Sequence, residues 1–294
     1  MIEFPVVLAG LFVGLVVGLT GMGGGALMTP LLVLLFGMDP LAAVSSDLVA
    51  SMVMKPIGAA VHFKRRTVHR QLAAWLMLGS IPTAFVGVLL LSRLGAGGLD
   101  VQRWIKSALG VALLVVVGTL ALRPVLLRNR AASGEPQAMN VKPLPTLLVG
   151  MVGGLVVGLT SVGSGSLMMM MLLMLYPTMR LSELVGTDLL QAVPLVASAA
   201  IAHLLFGDFQ LDVTASILVG SIPGIYLGAR LSSRASDHVI RPLLVITLTA
   251  SGLKLLGAST SMVAVIVAAL GAFSIARHNI SAQRARAHTT SEAS

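Results

Sequence analysis

The stretch from Gly14 to Met28 reads Gly-Leu-Val-Val-Gly-Leu-Thr-Gly-Met-Gly-Gly-Gly-Ala-Leu-Met. It returns from Gly154 to Met168 as Gly-Leu-Val-Val-Gly-Leu-Thr-Ser-Val-Gly-Ser-Gly-Ser-Leu-Met. Thr20 aligns with Thr160, Gly23 with Gly163 and Gly25 with Gly165. A helix does not run comfortably through such a centre, because each interior glycine costs about 1 kcal/mol against alanine. The flanks on both sides are nonetheless uniformly apolar. An apolar helix, a polar break and a second apolar helix form a pattern that a membrane tolerates only where the break is buried in protein or lines a cavity.

Composition places the chain in a membrane. It is 56% hydrophobic and 11% charged, with a mean hydropathy of +0.96, whereas a soluble domain carries about 25% charged residues. Several apolar runs reach the roughly 20 residues that a spanning helix needs. The fold class expected is an all-α integral membrane protein, a polytopic helical bundle. The first of these runs does not read as a cleaved signal peptide, since Glu3 stands where a basic segment belongs and the run continues past any cleavage site. The absence of cysteine excludes disulfides, a thiol nucleophile and a thiolate metal site. The net charge of +9 does not mark a nucleic-acid binder. Its basic residues cluster between apolar runs, at Lys64-Arg65-Arg66, Arg123 to Arg130 and Arg277 to Arg286, which is how cytoplasmic loops orient a membrane protein.

The repeat extends beyond the glycine stretch. Ser45-Ser46-Asp47-Leu48 matches Gly186-Thr187-Asp188-Leu189, His62 matches His203, and Gly79-Ser80-Ile81-Pro82 matches Gly220-Ser221-Ile222-Pro223. Two equivalent halves follow. The boundaries expected are a first transmembrane repeat over 1–122, a cytoplasmic linker over 123–143, a second repeat over 144–257, an extra transmembrane helix over 258–277 and a polar cytoplasmic tail over 278–294. The loop Phe63 to Arg70 is strongly basic and belongs inside. Its counterpart, Gly207 to Asp212, has no basic residue and belongs outside. These signs agree if the halves are inverted, with an odd number of segments each. Arg93, Arg103 and Lys106 run against this assignment, partly offset by Asp100. The parity makes each glycine break the tip of a hairpin. Each arm after the break is too short to cross the roughly 30 Å hydrocarbon core, and the two hairpins are expected to enter from opposite faces.

At this point the chain resembles the sulfite exporter TauE/SafE family of membrane permeases. The resemblance is carried by Gly14-x-x-x-Gly18-Leu-Thr-Gly-Met-Gly-Gly-Gly25, by Ala26-Leu-Met-Thr-Pro30, by Ser46-Asp47 and by both Gly-Ser-Ile-Pro turns. It covers about residues 5 to 257. It implies transport of a small anion such as sulfite, a sulfonate like sulfoacetate or a related organic acid, and it favours export. The setting it implies is a bacterial inner (plasma) membrane, and the basic tail puts the C-terminus in the cytoplasm.

The residues themselves suggest a site at the breaks. Helix N-termini present unpaired N–H groups and partial positive charge to anions, and glycines let the backbone approach closely. Thr20, Gly21, Gly23, Gly24 and Gly25 in the first copy, and Thr160, Ser161, Gly163, Ser164, Gly165 and Ser166 in the second, form the candidate binding set. The competing use is close packing through small residues, to which Gly14-x-x-x-Gly18 and Gly154-x-x-x-Gly158 are assigned. Asp47 and Asp188 are repeated acids within apolar segments, where an ionisable group is expensive and usually functional. They join Lys55, His62 and His203 as candidates for gating or coupling. Lys55 has Val196 opposite it in the second half, and it either attracts an anion or snorkels towards the basic loop. His62 and His203 are expected near the interfaces. Met168 to Met171 with Met174 suit Cu(I) in principle, but consecutive methionines point around the whole helix and read as core filler. No metal or cofactor is expected.

The function expected is secondary transport, with the lipid bilayer and a small anion as partners and a homo-oligomer left open. The alternatives are a passive anion channel and a proton-coupled importer. An enzyme is not expected, since HExxH, GxSxG and a P-loop are all absent. A negative-inside potential helps export of a monoanion by about 2.3 kcal/mol per 100 mV. Uniport export therefore needs no proton, and both acids are expected to serve as hydrogen-bonding and gating groups.

Overall fold

The computed structural model describes residues 2–20, 24–63, 68–96, 100–131, 140–231 and 237–272. The described residues are helical throughout apart from short connections. The first half contains α1 (Phe4–Thr20), α2 (Gly25–Leu35), α3 (Pro40–Phe63), α4 (Arg70–Ala96) and α5 (Val101–Ala131). The second contains α6 (Pro143–Thr160), α7 (Ser166–Leu175), α8 (Leu181–Phe206), α9 (Leu211–Leu231) and α10 (Asp237–Leu255). A short apolar helix, α11 (Thr260–Ala272), follows. Five helices are long and apolar enough to cross a membrane: α4, α5, α6, α8 and α9. The protein is an all-α, multi-pass integral membrane protein.

The helix boundaries follow local chemistry. α3 starts on Pro40 and α6 on Pro143, positions where proline's missing N–H costs nothing. α2 ends before Gly37, whose φ of 66° is natural to glycine. Two expectations need correcting. Both Gly-Ser-Ile-Pro segments lie inside helices, in α4 and α9, not in turns. Long apolar flanks keep the backbone helical through Pro82 and Pro223, since the bilayer offers no other partner for its polar groups. The span 123–131 of the expected linker continues α5, while 132–139 lies outside the described residues. The extra segment is helical over Thr260–Ala272, and 273–277 lie outside the described residues. The tail lies beyond the described residues.

The arms after the breaks are short, as expected. α2 has 11 residues and α7 has 10, or about 15 Å each at 1.5 Å per residue. The halves interlock. α1 packs on α9 and α6 packs on α4, so the first helix of each half lies on the fourth helix of the other. α2 meets α10 and α7 meets α5 in the same exchanged way, while α3 lies on α8 and α5 on α10.

Glycine makes these contacts close. A Cβ on Gly14 would come within 2.5 Å of the Ser221 carbonyl oxygen, and one on Gly158 within 2.5 Å of that of Ala84. Gly220 and Gly224 meet Val7 and Leu11 of α1 in the same manner, and Gly79 meets Leu147 of α6. Gly14-x-x-x-Gly18 and Gly154-x-x-x-Gly158 therefore lie in helix packing surfaces, as assigned. The exterior is apolar, with Phe12, Leu90, Leu148 and Leu227 exposed, as a lipid-facing surface must be. Met168 and Met170 are buried in the main core cluster and Met174 is exposed.

Candidate functional site

The second break is fully drawn. Ser161 caps the C-terminus of α6 at a φ of 60°, with its N–H bonded to the Val157 carbonyl at 2.8 Å. A left-handed conformation is costly for a residue with a Cβ, by about 1–2 kcal/mol, and such strain clusters at functional sites. Thr160 turns its hydroxyl back to the Val156 carbonyl and accepts the N–H of Val162 at 3.2 Å. Gly163 has a φ of 105°, which suits glycine alone. Gly165 then caps α7, which begins at Ser166. Thr160 to Ser164 are buried, and Gly165 and Ser166 are half-buried. The N–H groups of Ser166 and Leu167, in the first turn of α7, have no acceptor among the described residues.

Of the first break, Gly21 to Gly23 lie outside the described residues. Thr20 bonds through its hydroxyl to the Val16 carbonyl at 2.8 Å. Gly24 caps α2 and its carbonyl accepts the N–H groups of Leu27 and Met28. Gly25 lies directly on Ser161, because a Cβ there would collide with the Ser161 carbonyl and come within 2.6 Å of its Oγ. The two breaks therefore touch, which no spacing in the sequence foretold.

α3 joins them from the side. Asp47 is buried, and its Oδ2 accepts the hydroxyls of Thr29 and Ser161, each at 2.7 Å. One oxygen thus ties α3 both to the arm after the first break and to the tip of the second. Lys55 lies eight residues further on, about 12 Å along the axis. Its Nζ donates to Ser164 Oγ at 2.7 Å. Of the described lysines it alone is not exposed. Lys55 thus reaches the second tip. Neither acid forms an ion pair among the described residues.

Asp188 is buried on α8, but its partners differ from those of Asp47. Its Oδ1 accepts Gln191 Nε2 at 3.0 Å, and Gln191 Oε1 accepts the Ser80 hydroxyl at 3.3 Å. No hydroxyl from either break reaches it among the described residues. The neighbouring backbone contacts are nevertheless exchanged between halves. The N–H of His69 donates to Thr187 Oγ1 at 3.0 Å, and that of Gln210 to Ser46 Oγ at 3.3 Å.

His203 is buried, with both ring nitrogens engaged. Nε2 lies 2.8 Å from the Gly158 carbonyl and Nδ1 lies 2.8 Å from Ser45 Oγ. A carbonyl only accepts, so Nε2 carries the hydrogen and Nδ1 accepts the hydroxyl. The ring links α8 to α6 and α3. The side chain of His62 lies outside the described residues. Sequence reading missed Thr29, Ser45, Ser80 and Gln191. Only Gln191 left a local signal, standing three residues after Asp188 on the same helix face.

A family model described as "Sulfite exporter TauE/SafE" matches residues 6–255. The chain is similar to "Probable membrane transporter protein YjnA" of Bacillus subtilis (strain 168), at 39% identity over 252 residues, covering 85% of this chain and 98% of the relative. It is also similar to "Probable membrane transporter protein YdhB" of the same organism, at 24% identity over 264 residues, covering 85% and 99%. No solved structure matches the chain.

Proposed function

The chain belongs to the sulfite exporter TauE/SafE family, and from that membership and the contact of Lys55 with Ser164 we propose that this membrane transporter carries a small anion between its two glycine breaks. The substrate class is sulfite, a sulfonate such as sulfoacetate, or a related small organic acid, and the direction is export across a bacterial plasma membrane. The single observation that carries the site is that Lys55 donates to Ser164 on a buried tip. That tip also holds the unpartnered first-turn N–H groups of α7. A lysine charge beside open N–H groups at the positive end of a helix suits a compact oxyanion. A snorkelling lysine would point away from the tip.

The two halves act as inverted repeats around this site. The exchanged pairing of α1 with α9 and of α6 with α4 supports that arrangement, as do the basic loop at 63–70 and the non-basic loop at 207–212. Carrier action needs two such halves to rock about a fixed site, and a C-terminus on the cytoplasmic side agrees with the basic residues that precede it.

A thermal-shift series on the purified protein tests the substrate class, using sulfite, sulfoacetate, taurine, thiosulfate, sulfate and lactate. A ligand at 100 times its Kd stabilises by about 2.7 kcal/mol, a readily measured shift. Sulfite or a sulfonate is expected to stabilise the wild type and to lose that effect in Lys55→Gln. Stabilisation by none of the anions, or equal stabilisation of both proteins, contradicts the reading.

A further inference from the structure

α3 holds the second tip at two points. Asp47 Oδ2 accepts the hydroxyls of Ser161 and Thr29, each at 2.7 Å. Lys55, about two turns further along the same helix, donates to Ser164 Oγ at 2.7 Å. Among the described residues, these bonds of Asp47 and Lys55 are the only hydrogen bonds that reach residues 160–166 from outside the α6–α7 hairpin. Between the two held serines lie Val162 and Gly163, the latter at a φ of 105°.

The tip's hydroxyls fall into two kinds. Thr160 gives its hydrogen to the Val156 carbonyl, and Ser161 gives its hydrogen to Asp47. Ser164 accepts from Lys55, so its own hydrogen is not used in that bond and has no acceptor among the described residues. Ser164 thus joins Lys55 and the open N–H groups of Ser166 and Leu167 as a donor that an oxyanion can meet. Ser161 does not, because its hydrogen is committed. Yet Ser161 holds a φ of 60°, which is costly for a residue with a Cβ and free for glycine. The first copy has glycine at this place, Gly21. What serine adds there is the hydroxyl that bonds Asp47.

The arrangement exists once. In the other copy Thr29, Ser161, Lys55 and Ser164 are replaced by Met169, Gly21, Val196 and Gly24. None of these carries a hydroxyl or a charge, so neither attachment can form at the first tip. Asp188, the counterpart of Asp47, bonds to Gln191 instead. We propose that Asp47 is a positioning residue for transport: through Ser161 it fixes the second tip, so that Ser164, Lys55 and the first-turn N–H groups of α7 meet one anion together. Asp47 does not touch the anion. Its role needs an acceptor oxygen at that reach and not a titrating charge.

The inference rests on the carrier reading, and the experiment separates the two. Initial rates of labelled sulfite uptake are measured over a concentration series in proteoliposomes, with melting temperatures taken on the same preparations. Asp47→Asn offers a carbonyl oxygen to both hydroxyls, so its KM is expected to stay within about threefold of the wild type. Asp47→Leu is expected to raise KM by at least about tenfold with kcat less affected, the pattern of lost binding. Ser161→Gly removes the hydroxyl and the backbone strain together. It is expected to melt near the wild-type temperature and still to raise KM by about tenfold. Equal losses in Asp47→Asn and Asp47→Leu overturn the inference, since charge would then be what matters. A Ser161→Gly protein that keeps the wild-type KM, or whose KM rises only together with a loss of melting temperature, overturns it too and leaves the carrier standing. Absence of saturable sulfite transport in the wild type overturns the carrier reading and the inference with it. Ser161→Gly decides the matter even if Asp47→Leu does not fold.

Discussion

Gly24 and Gly25 are neighbours in sequence with opposite tolerances. A Cβ on Gly24 would find Met54 Cε and Val17 Cγ2 at 3.7 Å, ordinary contact distances. A Cβ on Gly25 would run into Ser161 backbone, which cannot move without breaking the cap of α6 and the bond to Asp47. Gly24→Ala is therefore expected to change stability by less than about 1 kcal/mol. Gly25→Ala is expected to cost about 1–3 kcal/mol through overpacking and to disturb transport. Thermal melts of both variants in detergent, with uptake assays on the same preparations, check this. Equal melting of the two would contradict the contact between the breaks. The residue types at the site were legible in the sequence, because an acid repeated within an apolar helix and a glycine break repeated between apolar arms are both expensive and both duplicated. Their partners were not. The bonds from Asp47 to Ser161 and from Lys55 to Ser164 link residues of different halves, and such pairs leave no spacing to read.

The packing surfaces carry the same logic at the scale of helices. α1 and α9 approach so closely that Gly220 has no room for a side chain against Val7, whereas Gly118 of α5 has nothing within 4 Å of where a Cβ would be. Gly220→Val is expected to abolish monodisperse protein on size exclusion, and Gly118→Val to leave it near wild-type yield. A normal profile for Gly220→Val would show that the α1 and α9 contact is not as close as drawn. The repeat extends this expectation to the partner pair, with Gly79 of α4 against α6. Helix existence was the easiest feature to foresee, because long apolar runs in lipid have no other way to satisfy their backbone. The Gly-Ser-Ile-Pro segments were the hardest. Glycine and proline read as turn signals in water, while in α4 and α9 the apolar flanks override them.

At the scale of the molecule, the proposal is of two halves of opposite orientation about one anion site, and the exchanged helix pairing and the loop charges support it. The native chain has no cysteine, so single introduced thiols report sidedness cleanly. Gln210→Cys is expected to react with an impermeant thiol reagent from outside, and Thr67→Cys only from inside. Reaction of both from the same side would contradict the inverted arrangement.

The central claim is that an anion binds beside Lys55 at the junction of the two breaks and is carried across. The most direct measurement is counterflow of labelled sulfite in proteoliposomes, comparing wild type with Lys55→Gln. The account predicts that unlabelled sulfite on the far side accelerates entry of label in the wild type, because a carrier returns faster when loaded, and that Lys55→Gln loses at least about tenfold in that rate, equivalent to about 1.4 kcal/mol. Entry of label that trans sulfite does not accelerate would mark a channel, and a Lys55→Gln protein that matches the wild type would remove the anion from the site.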